Sequence, residues 1–202
     1  MVVEKITGTD QLPSKAEHFI SSQNWVEAPD VHAKFSIRHD GTSIYLYYQV
    51  EEPEIRAVNT EFNSPVWEDS CVEFFLAFGG EDGYYNFEIN AIGTVLGAFG
   101  INRNKRFHLA DSLLISIETT PSMERKPIEN KEGRAFWSMR LIIPARVFHF
   151  SKIKNLSGVD ARANFYKCGD KLKHPHFLSW KPVLTSTPDF HSPRYFGQLY
   201  FL

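Results

Sequence analysis

Between residues 64 and 78 the chain reads SPVWEDSCVEFFLAF, setting Trp67 and three carboxylates, Glu68, Asp69 and Glu73, at the entrance to an apolar run. A little further on, YYNFEINAI (84–92) interleaves Asn86, Glu88 and Asn90 with apolar residues. Carboxylates accept paired hydrogen bonds, amides both donate and accept, and an indole presents a flat apolar face. That mixture suits a ring with many hydroxyls and an apolar C–H face, so the residues alone point to a carbohydrate ligand. A second passage, HPHFLSWKPVLTSTPDFHSPRYFG (174–197), places Trp180 among prolines and histidines. It reads as an ordered, irregular loop ahead of a last strand that begins near Phe196, and aromatic-bearing loops tend to be functional.

Strand parity decides which of these side chains share a face. Over 70–78 the set Val72, Phe74, Leu76 and Phe78 points one way and Cys71, Glu73, Phe75 and Ala77 the other. Over 84–92 the apolar set is Tyr85, Phe87, Ile89 and Ala91. The turn-rich GGEDG between them predicts a hairpin, in which Glu73, Asn86, Glu88 and Asn90 project from one face. The competing account of that face is the ordinary solvated side of an antiparallel sheet.

The same period-two signal recurs along the chain. AKFSI (33–37) and SIYLYYQV (43–50) flank HDG as a second hairpin, and further strands are expected at 94–100, 113–120, 135–144, 161–168 and 196–202. Helical signals are short: a turn or two within 12–22, and PARVFHF (144–150) with Pro144 at its first helical position. Residues 121–134 read as an exposed loop. The fold class is therefore all-β, an antiparallel two-sheet β-sandwich of immunoglobulin-like or jelly-roll type with short helical turns. No repeat or linker divides the chain, so residues 1–202 read as one domain.

With 22 basic and 24 acidic residues and a formal net charge of −2, nothing marks the chain for nucleic acid or an anionic membrane. The N-terminus lacks a basic segment followed by an apolar one, and no run is long enough to span a bilayer as a helix, so the expectation is a soluble chain without an export signal. Two cysteines, Cys71 and Cys168, are too few for a disulfide scaffold or a four-cysteine zinc site, and both are read as free thiols.

Other chemistries match parts of the sequence. Glu73 and Glu88 as neighbours across the hairpin keep a glycoside hydrolase as the alternative to simple binding, since that reaction needs two carboxylates about 5–9.5 Å apart. Haem ligation by Met and His lacks a C-x-x-C-H motif. His174, His176 and His191 give a weak zinc signal, and a solvated loop explains them more simply.

The stretches VWEDSCVEFFLAF, YYNFEINAIGTV, ARANFYKCGD and LSWKPVLTSTPDFHSPRYFGQLYF, in that order, resemble the family 9 carbohydrate-binding modules from about Ala33 onward. The resemblance implies a β-sandwich that binds mono- or oligosaccharide ends of plant-type glycans such as xylan or cellulose without cleaving them, often beside a glycan-degrading enzyme. It also implies a clamp of two tryptophans, here Trp67 and Trp180, with Glu73 and Asn90 taking sugar hydroxyls. Structural calcium is a further implication, but no acidic loop has the spacing of a known calcium motif.

Overall fold

The structure is a computed structural model describing residues 1–8, 11–23 and 25–202. Its strands are numbered along the chain, and the period-two segments assemble into two facing sheets. One sheet runs β10 (Glu118–Pro121), β11 (Ile128–Pro144), β5 (Ser43–Ala57), β4 (His32–His39), with β2 (His18–Ile20) pairing the far side of β4. The other runs β14 (Gly197–Phe201), β12 (Asp160–Cys168), β6 (Cys71–Phe78), β7 (Tyr84–Asn90), β8 (Val95–Asn102), β9 (Lys105–His108). On its flank β13 (Phe177–Ser179) pairs β12, and β3 (Ser22–Gln23) pairs β13. The first strand, β1 (Val2–Lys5), joins the sheets: Val2 and Val3 pair with β14, while Glu4 and Lys5 pair with β4. Those two ladders are parallel, and the other pairings described are antiparallel. The expected antiparallel β-sandwich is the fold.

Side chains of even parity on β6 and odd parity on β7 fill the space between the sheets. Phe74 and Phe165 stack with centroids 5.0 Å apart, and Phe165 stacks in turn on Phe35 of the opposite sheet at 3.6 Å. The Tyr48 hydroxyl crosses the same space to donate to the Glu73 carbonyl at 3.1 Å. Burying a phenylalanine fully contributes about 1.5–3 kcal/mol, so this aromatic column is a main source of the sandwich's cohesion.

The outer face of the second sheet rules out the competing account of an ordinary solvated side. It is covered rather than solvated: every residue of β6 and β7 is buried. Cys71, Phe75, Ala77, Tyr84, Leu96, Tyr166 and Cys168 form a second apolar cluster with Val183, Phe190 and Phe196 of the C-terminal segment. Asn164 fastens that segment by exchanging hydrogen bonds with the Lys181 backbone, at 3.0 and 2.9 Å, and the Tyr166 hydroxyl donates to the Phe190 carbonyl.

Three local expectations are corrected. Residues 113–120 are not one strand, because a short helix, α1 (Asp111–Leu114), with Asp111 in its first turn, precedes β10. The loop expected at 121–134 is strand from Ile128, where β11 pairs with the distal half of β5, a non-local ladder that polar composition hid. The turn or two of helix expected within 12–22 is replaced by β2 and β3. A 3-10 turn at Ala145–Phe148 does follow Pro144, which acts as its cap.

Candidate functional site

Glu73 and Glu88 are register partners across the β6–β7 ladder, so both carboxyl groups leave the sheet on its outer side. Both are buried, and both line an open cleft with Trp25, Trp67, Arg103, Arg106, Asp170, Phe177, Asp189 and His191. Sheet geometry therefore supplies the floor of the cleft, and the connections carrying Trp25, Trp67, Arg103, Asp170 and Asp189 supply its sides.

Trp67 stands on the 3-10 turn Val66–Glu68, just ahead of β6. The acids around it hold that turn in place. Asp69, wholly buried, accepts from the Arg56 guanidinium at 2.9 Å, the Asn59 backbone and side-chain amides at 3.0 Å, and the Asn90 amide at 2.9 Å. Glu68 pairs with Lys171 at 2.9 Å, while the Trp67 and Glu68 carbonyls accept from the Asp170 and Lys171 backbone amides. Of the three acids in WEDSCVE, two are thus structural fasteners and only Glu73 reaches the cleft.

A second aromatic group comes from Trp25, which sequence reasoning missed. Its indole N–H donates to the Thr185 carbonyl at 2.8 Å, and its ring packs on Phe177 and Phe190 with centroids 6.2 and 5.6 Å away. A tryptophan in the polar stretch SSQNWVEAP was the available signal.

The electrostatics of the floor follow from burial. Desolvation pushes the Glu73 carboxyl well up, and the facing Glu88 pushes it further, while the Cys168 thiol donating at 3.0 Å opposes both. Desolvation likewise raises Glu88, opposed by Arg106 at 3.5 Å. Two acids that resist ionisation are good hydrogen-bonding groups for neutral hydroxyls, because a protonated carboxyl both donates and accepts. His191 is held near 3 by desolvation and by Arg106 and Arg103, so its ring is neutral, with Nδ1 2.8 Å from the Tyr84 hydroxyl.

The structure does not bring Trp180 or Asn90 into the cleft. Trp180 packs edge-on against Phe35 and Phe165, 5.9 and 5.6 Å away, and so sits partly buried against the core between the sheets. Asn90 is buried with its amide donating to the Asn59 carbonyl and Asp69 and its oxygen accepting from Thr94 N–H. The solvated-loop reading of the histidines also needs correction: His176 is buried, with Nε2 2.8 Å from Lys167 Nζ. Among the described residues the metal-ligating groups that converge are Cys71, Glu73 and Cys168. Two thiols do not suit calcium, which takes oxygen donors.

The family model for carbohydrate-binding family 9 matches residues 5–201. No curated protein matches the chain. A solved structure from Bacteroides uniformis ATCC 8492, for which carbohydrate binding has been proposed, is 36% identical, with coverage of 100% of this chain and 98% of that one and a TM-score of 0.93. Two structures of a family 9 module from Caldicellulosiruptor kristjanssonii, one with glucose and one with cellotriose, share 12% identity at TM-scores of 0.62 and 0.60. They cover 100% of this chain and 96% and 92% of their own, and at that identity they speak for the fold. The match over nearly the whole sequence places this chain in carbohydrate-binding family 9.

Proposed function

We propose that the cleft over Glu73 and Glu88 binds the end of a saccharide without cleaving it. Trp67 and Trp25 supply the flat apolar faces, and Glu73, Glu88, Arg103, Arg106, Asp170 and Asp189 supply partners for hydroxyls. The observation that carries this reading is the convergence of Trp67 and buried Glu73 on one open cleft. In this account Trp25 takes the clamp role that the sequence resemblance gave to Trp180, and Asn90 acts through Asp69 by holding the Trp67 turn. The ligand class is the glucose- or xylose-terminated end of a cellulose- or xylan-type glycan; glucose and cellotriose, the ligands of the Caldicellulosiruptor module, speak for the cellulose-type end. A glycan-degrading enzyme is the partner such a binder serves.

Isothermal titration with glucose, xylose, cellobiose and xylobiose tests the proposal. At least one sugar should bind saturably, and Trp67→Ala should weaken it tenfold or more, about 1.4 kcal/mol. Absence of binding to the whole panel by the folded protein contradicts the reading. The paired carboxylates also motivate a hydrolase reading, for which the same panel incubated with protein should release reducing sugar; the binding account predicts none.

A further inference from the structure

The cleft floor holds two thiols that sugar binding does not use, beside the Glu73 carboxyl that it does. Cys71 and Cys168 are register partners across the β6–β12 ladder, so their thiols leave the sheet on the same side. Glu73 lies two residues along β6 on that face. One donor atom from each of the three lies within 4.8 Å of the other two. The Cys168 thiol already donates to Glu73 Oε1 at 3.0 Å. In a tetrahedral zinc site, with metal–sulfur bonds of about 2.3 Å and metal–oxygen bonds of about 2.1 Å, donor atoms stand about 3.6–3.8 Å apart. A cation can thus replace the thiol protons with side-chain shifts of about 1 Å.

We propose that Cys71, Glu73 and Cys168 form a site for a thiophilic divalent cation, zinc in the first instance, whose fourth position opens into the cleft. Glu73 and Cys168 both line the cleft, which gives the ion its way in. Two thiolates and a carboxylate leave one net negative charge around a dication, beside the guanidinium groups of Arg103 and Arg106 on the same cleft. The two thiol protons, and the proton that burial keeps on the Glu73 carboxyl, leave to the buffer on binding. Three protein donors with an exchangeable fourth position is the arrangement of an open zinc site rather than a closed structural one. Water fills that position, or a hydroxyl of whatever ligand occupies the cleft. The site stands on the thiols and carboxylate alone and does not depend on the saccharide reading.

The test uses the whole chain, reduced with a phosphine. Zinc titrated calorimetrically should bind at one equivalent per chain with micromolar or tighter affinity. Cobalt(II) added to the unmutated protein should give near-ultraviolet thiolate charge-transfer absorption and intense visible bands of tetrahedral geometry, a readout that needs no variant to fold. Cys71→Ala and Cys168→Ala should each weaken zinc at least a hundredfold, and Glu73→Gln at least tenfold. Zinc affinity weaker than millimolar, a cobalt spectrum without charge transfer, or binding unchanged in folded variants overturns the proposal. So does a Cys71–Cys168 bridge that re-forms in air in a protein that shows no cobalt band when reduced; that result assigns the pair to a disulfide.

Discussion

Trp67 and Asp69 are two residues apart and do opposite work: the indole borders the open cleft while the carboxylate is wholly buried and holds four donors from three other residues. The clasp also reaches β7 through Asn90, so the position of the aromatic wall is set by a polar knot beneath it. Removing one partner from a buried charged network leaves the others unsatisfied.

Asp69→Asn should therefore cost about 3–5 kcal/mol, because the Arg56 guanidinium loses its counter-charge in a buried setting. Chemical denaturation measures the loss. Any sugar affinity should fall with it, since the Trp67 turn is no longer pinned; a variant as stable as the parent contradicts the clasp.

Trp25 and Trp180 should separate cleanly. Trp180→Ala removes a partly buried ring that packs against the core and should cost about 1–3 kcal/mol of stability. Trp25→Ala should reduce saccharide affinity tenfold or more. Trp180→Phe, which keeps an aromatic ring against Phe35 and Phe165, should bind sugar as the parent does. Equal binding losses in Trp25→Ala and Trp180→Phe would restore the clamp expected from sequence.

A buried ion pair offers a further check. Lys167 and Glu52 lie 2.8 Å apart with both side chains fully buried, and the Trp137 indole donates to Glu52 at 2.6 Å. Lys167→Met alone should cost about 3–5 kcal/mol by stranding the carboxylate, whereas Lys167→Met with Glu52→Gln should recover much of that loss. Thermal melts of the single and double variants decide it.

Acid should weaken the fold through its histidines. Burial holds His176 near 2 and His191 near 3, so both stay neutral in the folded chain and protonate on unfolding. Below about pH 6.5 the unfolded state binds more protons, so their contribution is complete above that pH and falls on acidification toward pH 3, by about 1.4 kcal/mol per pH unit for each ring. Raised Glu73 and Glu88 act in the opposite sense, so the measurement is a difference. His191→Gln should lose about 1 kcal/mol less than the parent between pH 6.5 and 5.5 in urea unfolding. Identical pH slopes contradict the neutral buried ring.

Much of the sandwich was legible because alternation is local. The sequence placed Val72, Phe74, Leu76 and Phe78 inward and Glu73 and Glu88 outward on a hairpin, and the ladder has that register. What it could not tell is whether the outward face meets water, since the cover consists of residues more than ninety positions away, such as Val183, Phe190 and Phe196. Trp180 shows the same limit: it is partly exposed, yet its ring packs edge-on against Phe35 and Phe165, and Phe35 lies far away in sequence on the other sheet. Trp25 went unnoticed because its partner, Thr185, is 160 residues away. Asn90 shares a face with Glu88, yet parity gives direction and not partner, and Asp69 takes its amide.

The most direct test of the central claim is a crystal structure of the protein soaked with cellobiose. The account predicts a sugar ring over Glu73 and Glu88, stacked on Trp67 with Trp25 beside it, and Trp180 untouched where it packs against Phe35 and Phe165. Sugar bound on the other sheet, or against Trp180 with the cleft over Glu73 empty, would contradict it.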